Sequence, residues 1–331
     1  MRRVRHYSYG GPEVLRLEEA GEPTAGPGEL LVRTAAIGVT LPAVRRVRAG
    51  DPTALPAPIG GEVAGTVIGG EATRPGRSGD AEGPRRDGEA ERPRRNGDAA
   101  ASIGSRVTGL SFTGSYAEIV TIPAALATPI PDWASDTLAV ALIRGGHVAL
   151  AALTAAALRP GESVLITAAA SGVGHLLVQL AKLRGADRVI AATSSPAKAD
   201  FLRGLGADDV KIYGDPVEVD VVLDAAGGDL IPWVLEAARP GGRLVAFGSG
   251  RGEIPVPALM AGGKTVTGLT IARFAADDPG RYQAHTAELW ELARTDQLRP
   301  AIHAELPLSE AAAAHRIIEE RKNLGKVVLR P

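Results

Sequence analysis

A short run of small residues in the middle of the chain has the composition of a phosphate-binding turn. It reads Ala169-Ala170-Ser171-Gly172-Val173-Gly174 and lies between an apolar stretch, Ser163 to Ala168, and a segment of helical period that begins at His175. Small side chains at a strand-to-helix turn let backbone amides approach a pyrophosphate, and the helix dipole favours the anion. The pattern predicts a dinucleotide site formed by Ala170, Ser171, Gly172, Val173 and Gly174.

This turn departs from the stricter glycine fingerprint, because Ala169 and Ser171 stand where that pattern has glycine. A tight turn without any ligand is the alternative interpretation. The context favours the dinucleotide, since further apolar runs of strand length follow at the spacing of a parallel doubly wound sheet. These runs are Val189-Ile190-Ala191, Val219 to Leu223, and Leu244-Val245-Ala246.

The residues that follow the second of these strands bear on the choice of cofactor. Enzymes that prefer NADH usually carry Asp or Glu about 20 residues past the glycines, where it binds the ribose 2′-hydroxyl. This chain has Thr193-Ser194-Ser195 there, and Lys198 comes about one helical turn later. Ser194, Ser195 and Lys198 are expected to hold a 2′-phosphate, which predicts NADPH. Lys198 as an ordinary solvated helix residue is the alternative.

Composition excludes several classes of site and partner. The chain has 331 residues, enough for two domains, and its net charge of -1 gives no indication of nucleic-acid binding. With no cysteine it has no disulfide, cysteine-zinc, iron-sulfur or thiol chemistry, and its six histidines lack metal-ligand spacing, so we expect no metal. No signal-peptide pattern or uncharged membrane-length run is present. We therefore predict a soluble, cytoplasmic protein without a membrane partner.

The organisation along the chain predicts an α/β protein of two domains. Residues 1–130 alternate short β-rich runs with Gly/Pro loops, residues 131–270 have the βαβ pattern of a doubly wound parallel sheet, and residues 271–331 are expected to return to the first domain. Residues 71–102 almost lack large apolar side chains and are predicted to be a disordered insertion. A tandem Pro-Arg-Arg repeat lies within it. A solvated, functionless insertion is favoured over a patch that binds phosphate or nucleic acid, because interleaved acidic residues nearly cancel the charge of the arginines.

The chain resembles the medium-chain dehydrogenase/reductase superfamily, and specifically its zinc-free quinone oxidoreductase branch, which includes enoyl reductase modules. The segments that carry the likeness span nearly the whole chain. They are Tyr9 to Leu15, Pro27 to Arg33, Gly60 to Gly65, Gly114 to Glu118, the turn at Gly172 through Lys182, Phe247-Gly248, and Gly325 to Leu329.

The resemblance implies a GroES-like catalytic domain made from both chain ends, a central Rossmann domain, a cleft between them and commonly a homodimer. It implies that Lys198 and Tyr213 bind the 2′-phosphate and that Ala246-Phe247-Gly248 packs beside the nicotinamide. Ala225 and Lys326 are assigned to the same cofactor site.

Three residues are candidates for catalysis on this likeness. His147 lies near the expected cofactor and is a candidate proton donor, with a helix-start histidine bonded to backbone as the alternative. Thr40 stands where relatives usually have Asn and can donate a hydrogen bond, or it is a structural turn residue. Arg45 and its neighbour Arg46 stand near the position where relatives usually have Tyr, and they could bind an anionic substrate. The alternative is that both belong to a solvated helix face. Tyr116 is expected to be structural, and Glu62 a buried structural carboxylate.

These observations predict an NADPH-dependent reductase that acts by hydride transfer without a metal on a small molecule of the quinone, enone or acyl type. Two alternatives stay open. One is a pathway enzyme that performs a non-redox cyclisation or isomerisation in the same cleft, and the other is a non-catalytic NADPH-binding protein.

Overall fold

The computed structural model describes residues 1–49, 55–70, 102–112, 114–248 and 252–331, so that the predicted insertion lies outside the described residues apart from Ser102. The strands are β1 (Arg2–His6), β2 (Leu15–Glu19), β3 (Glu29–Val39), β4 (Ala57–Pro58), β5 (Gly61–Gly70), β6 (Arg106–Ser111), β7 (Ile119–Pro123), β8 (Thr128–Pro129), β9 (Ser163–Ile166), β10 (Arg188–Thr193), β11 (Asp209–Ile212), β12 (Val219–Asp224), β13 (Ala238–Ala246), β14 (Thr265–Gly268), β15 (Ile302–Pro307) and β16 (Lys326–Arg330). The α-helices are α1 (Leu41–Ala49), α2 (Asp136–Ala155), α3 (Gly174–Leu183), α4 (Ala199–Gly204), α5 (Ile231–Ala237), α6 (Val256–Gly262), α7 (Ile271–Asp277), α8 (Pro279–Arg294) and α9 (Ala311–Glu319).

Strands from both parts of the first predicted domain form one mostly antiparallel sheet. Its order is β15-β16-β3-β5-β6-β8, with β7 also paired to β3, and a small sheet β2-β1-β4 lies apart from it. Strand β3 is central because β5, β7 and β16 all pair with it. Buried residues of β3 such as Val32 and Ile37 share a core with Val327 and Leu329 of β16. The returning chain therefore completes the core of the first sheet.

The second sheet has six parallel strands in the order β11-β10-β9-β12-β13-β14. This is the doubly wound order, and it reverses direction between β9 and β12, where ligands bind at the carboxyl ends of the strands. Central residues such as Leu165 and Val222 are fully buried because side chains cover both faces. The predicted fold class, a β-rich domain with a Rossmann doubly wound sheet, is confirmed.

Helix α2 packs between the two sheets. On one side Ala139 and Val140 contact Ala36 and Ala64 of the first sheet, and on the other Leu150 lies in the core of the parallel sheet. Among the described residues this helix alone has the length and apolar composition to cross a membrane, but 67% of its most apolar window is buried within the protein. The core of a soluble protein produces such a helix as well.

Local capping fixes the start of helix α8 at Pro279. The Asp278 carboxylate accepts a hydrogen bond of 2.9 Å from the N–H of Arg281, and Pro279 occupies the first turn.

Candidate active site

The turn between β9 and α3 is closed by its own hydrogen bonds. The N–H of Ser171 donates to the carbonyl of Ala168 at 2.9 Å, and the N–H of Gly174 donates to Ser171 Oγ at 3.0 Å. A Cβ added at Gly174 would lie 2.7 Å from the Ala169 backbone, but one added at Gly172 would meet only Lys326 Cδ at 3.5 Å. The space beside Gly172 fits a phosphate group, which approaches backbone at such turns.

A buried histidine that the sequence did not indicate anchors this turn. The ring of His175 is fully buried; its Nδ1 donates to the Ser171 carbonyl at 2.8 Å, and its Nε2 accepts from the N–H of Ala301 at 3.0 Å. Burial lowers the pKa of His175 to about 4. The neutral ring therefore links the turn to the chain segment that leads into β15, through a contact that no local pattern predicts.

The ends of β12 and β13 lie beside the turn and bring three predicted residues together. Thr167 donates to Asp224 Oδ1 at 2.6 Å and accepts from the N–H of Ala225 at 2.9 Å. The N–H of Phe247 donates to the Asp224 carbonyl at 3.0 Å, and a Cβ added at Gly248 would lie 2.5 Å from the carbonyl carbon of Ala225. Ala225, Phe247 and Gly248 therefore share one edge of the sheet. The signal that could have identified Thr167 and Asp224 is a polar residue at the end of each apolar strand.

The serines and the lysine predicted for the 2′-phosphate follow β10. Ser194 is exposed, and Ser195 Oγ accepts from the N–H of Ala197 at 3.3 Å. Lys198 Nζ donates to the carbonyl of Arg321 and to that of Asn323, the latter at 3.2 Å. Lys198 thus faces the connection between α9 and β16.

Tyr213 and Arg321 complete this group. The phenol oxygen of Tyr213 accepts from the N–H of Ala168 at 3.1 Å, so that it lies directly at the turn. Burial, and then the charge of Arg321, lower the pKa of Lys198. Lys198 and Arg321 are two cations that repel each other beside a turn suited to phosphate. An additional phosphate group between them would offset this repulsion. Sequence reasoning missed Arg321, because its distance of 123 residues from Lys198 along the chain leaves no local signal.

Lys326 forms a buried ion pair with Glu62. Their side chains are 8% and 4% exposed, and Lys326 Nζ donates to Glu62 Oε1. A Cβ at Gly38 would lie 2.7 Å from the Glu62 carboxylate, so glycine there leaves room for it. Burial lowers the pKa of Lys326 to about 7. Since Lys326 Cδ lies beside Gly172, this side chain is well placed to act on a diphosphate at the turn.

The structure places Thr40 directly before α1 and Arg45 in the middle of that helix. Thr40 Oγ1 accepts from the N–H of Ala43 at 3.4 Å, which leaves the hydroxyl proton available for donation. Arg45 is half-buried, and burial followed by the charge of Arg321 lowers its pKa. Arg45 therefore lies on the same side of the molecule as the Lys198 group, while its neighbour Arg46 is exposed.

His147 lies in surroundings that do not favour a proton donor. It stands in the middle of α2 and not at a helix start, which corrects that alternative, and its ring is fully buried. The ring stacks on Tyr282 with centroids 3.8 Å apart, and Nε2 lies 3.0 Å from Thr286 Oγ1. Burial, and then His285, lower the pKa of His147 to about 3. The imidazole is thus neutral and enclosed, with no imidazolium proton to give at neutral pH.

Tyr116 also lies away from the cofactor edge. It is 1% exposed, and its hydroxyl lies 2.9 Å from Nε2 of His315 in α9. Burial raises the pKa of this phenol. The contact ties α9 to the first sheet, as expected of a framework residue.

Two family models match the sequence of this chain. Residues 26–132 match the family described as alcohol dehydrogenase GroES-like domain, and residues 184–329 match that described as zinc-binding dehydrogenase. A mycobacterial protein solved in complex with NADPH superposes with a TM-score of 0.85 at 31% identity, covering 100% of both chains. The chain belongs to the medium-chain dehydrogenase/reductase superfamily. Its place in the quinone oxidoreductase-like branch is confirmed by the relatives.

The relatives of this medium-chain dehydrogenase/reductase differ greatly in length. A quinone oxidoreductase from Pseudomonas aeruginosa is 29% identical, and the alignment covers 100% of this chain and 99% of that protein. The spectinabilin polyketide synthase system protein NorB from Streptomyces orinoci is 35% identical over 68% of this chain, which spans only 11% of that relative. Within the described residues no group of three or more His, Cys, Asp or Glu side chains is arranged to hold a metal ion.

Proposed function

We propose that this protein is an NADPH-dependent reductase of quinones or α,β-unsaturated carbonyl compounds that uses no metal. The observation that carries the proposal is the group of Lys198, Tyr213 and Arg321 beside the turn at Gly172. Cations and a phenol next to a pyrophosphate-type turn match a dinucleotide with one further phosphate. The NADPH bound by the mycobacterial neighbour supports the same choice.

The residues of the chain divide the work at the site. Residues 170–174 hold the diphosphate with Lys326 beside them, and Ser194, Ser195, Lys198, Tyr213 and Arg321 hold the 2′-phosphate. Ala225, Phe247 and Gly248 form the surface on which the nicotinamide lies. NADPH, when bound, supplies a hydride to the β-carbon of the enone or to the quinone ring. Thr40 donates a hydrogen bond to the substrate oxygen, where negative charge develops, and water supplies the proton.

The test follows oxidation of NADPH and of NADH with a panel of quinones and enones in steady state. We expect turnover with at least one substrate class and a higher kcat/KM with NADPH. Absence of turnover over a broad panel contradicts the reductase, and equal use of both cofactors contradicts the role of the Lys198 group. The homodimer and the cytoplasmic location expected from the sequence stay predictions, and light scattering of the purified protein tests the dimer.

A further inference from the structure

Helix α2 carries an arginine for which the described residues provide no counter-charge. Arg144 is half-buried, its Nε is enclosed without a hydrogen-bond partner, and no ion pair within the described part of the chain includes it. Burial lowers the pKa of its guanidinium, yet arginine stays protonated at physiological pH. A desolvated cation without a partner is costly. This arrangement is typical of a side chain that binds an anion from outside the chain.

Arg144 has a neutral phenol near it. Tyr282 lies close enough to act on Arg144 electrostatically, and its ring stacks on that of His147. His285 stacks on Phe274 with centroids 5.4 Å apart. Burial raises the pKa of Tyr282 and lowers that of both histidines, so that none is charged at neutral pH. Through Tyr282, Arg144 therefore adjoins an aromatic wall of mutually contacting rings from α2, α7 and α8.

The acidic side chains that act on His285 of the same wall are already paired with other arginines. Glu288 and Asp278 act on His285, but Glu288 binds Arg184 at 2.7 Å and Asp278 binds Arg281 at 3.1 Å. Neither pair includes Arg144. Within the described residues the counter-charge of Arg144 is thus not supplied by its neighbours.

Arg144 adjoins, in α2, a residue that packs against the cofactor turn. A Cβ added at its neighbour Gly145 would lie 2.9 Å from the carbonyl oxygen of Gly172. Arg144, Gly145 and Val148 are less buried than the residues around them in α2. Helix α7 begins three residues after β14, at the carboxyl edge of the parallel sheet. A ligand that contacts Arg144 therefore lies at the edge where the dinucleotide is proposed to bind.

We propose that Arg144 binds the carboxylate of the substrate, so that this enzyme prefers α,β-unsaturated acids to their neutral esters. This inference rests on the proposed reductase function. A single guanidinium matches the planar carboxylate with two parallel hydrogen bonds, and the aromatic wall accommodates the apolar remainder of a small acid. A phosphate group would call for several cations, and those are assembled at Lys198 and Arg321 instead.

The first experiment compares crotonate with methyl crotonate as acceptors for NADPH oxidation. We expect a higher kcat/KM for the acid, and we expect Arg144→Met to lower the acid-to-ester ratio of kcat/KM by about 30-fold, as loss of a charged hydrogen-bonded pair does. Arg144→Lys should restore part of that ratio. Arg294→Met serves as the matched control, because Arg294 is an exposed arginine of α8 that pairs with Glu291.

A binding measurement separates this proposal from the reductase function itself. In calorimetry with NADP+ present, butanoate should bind the wild-type protein more tightly than butanamide does, and Arg144→Met should abolish that difference. Unchanged NADPH affinity would show that the variant is folded. The proposal is overturned if butanoate binds the Arg144→Met variant as tightly as it binds the wild-type protein. It is also overturned if the only effect of the substitution is to dissociate a dimer, because the anion that pairs with Arg144 would then be a carboxylate of a second copy of the chain. Turnover of neutral enones without any preference for acids also overturns it, while leaving the reductase function standing.

Discussion

Gly172 and Gly174 are two residues apart in the turn after β9, but an added methyl group meets different surroundings at each position. At Gly174 it overlaps the backbone of Ala168 and Ala169, which cannot move without opening the turn. At Gly172 the contact found among the described residues is with the flexible side chain of Lys326. One glycine therefore serves folding, while the other preserves the space in which we place the diphosphate.

At the residue scale, Gly174→Ala should lower the free energy of unfolding by about 2 kcal/mol, as overpacking against fixed atoms does. Gly172→Ala should change it by less than about 0.5 kcal/mol, and Gly172→Val should raise the Kd for NADPH at least about 10-fold without loss of fold. Urea unfolding and fluorescence titration with NADPH measure the two effects. Equal destabilisation by alanine at both positions would contradict the distinction.

The connection between α9 and β16 is the element that joins the first domain to the cofactor edge. Arg321 within it has a φ of +53°, a conformation unusual for a side-chain-bearing residue. The Asn323 amide donates to the Gly325 carbonyl at 3.0 Å, and the N–H of Gly325 donates to the carbonyl of Ala170 at 2.8 Å. Together with the bond from Lys198 to the Arg321 carbonyl, they hold the backbone of this segment beside Lys198.

At the element scale, Arg321→Gln should raise the Kd for NADPH about 10-fold or more, because one charged partner of the 2′-phosphate is lost. The Kd for NADH should change by less than about threefold, since NADH lacks that phosphate. Arg321→Lys, which keeps the charge, should fall between. Lys322→Gln is the control, because Lys322 is paired with Glu320 at 2.6 Å and lies next in the same segment. Parallel losses for both cofactors would point to a collapsed loop.

Over the whole molecule, three buried histidines join elements that are far apart in the chain. His147 joins α2 to α8 through Thr286, His175 joins the turn to the segment before β15, and His315 joins α9 to Tyr116. Burial is the main cause that lowers their pKa values, to about 3, 4 and 4 from an ordinary value of 6.5. All three rings are neutral in the folded protein at neutral pH.

This burial predicts acid sensitivity. Between pH 6.5 and about 4 the unfolded chain binds protons at these histidines and the folded protein does not, so stability is fully present above 6.5 and is lost as the pH falls. Each ring contributes up to about 1.4 kcal/mol per pH unit. Urea unfolding at a series of pH values should show this slope, and His315→Gln should reduce it relative to the exposed His303→Gln. A flat profile from pH 7 to 5 would disprove the argument.

Local patterns predicted the parallel strands, the turn at Gly172 and Lys198. A strand buried on both faces has a continuous apolar run, and a tight turn has small residues close together in the sequence, so both leave a local signal. Long-range partners were not predictable in this way. His147 contacts Thr286 139 residues later, so its burial against Tyr282 could not be anticipated from α2 alone. The position of Arg321 and the missing counter-charge of Arg144 likewise depend on how separate segments pack.

The position of β16 in the first sheet has a consequence for synthesis on the ribosome. Val327, Val328 and Leu329 pair with β3, which is made almost 300 residues earlier. While translation proceeds, one edge of β3 lacks its neighbour and Val32 and Ile37 lack part of their core. The strands of the parallel sheet, in contrast, are all complete once Gly268 has emerged. The nucleotide-binding half can thus fold during elongation, while the half that flanks it stays unfinished until its late strand arrives.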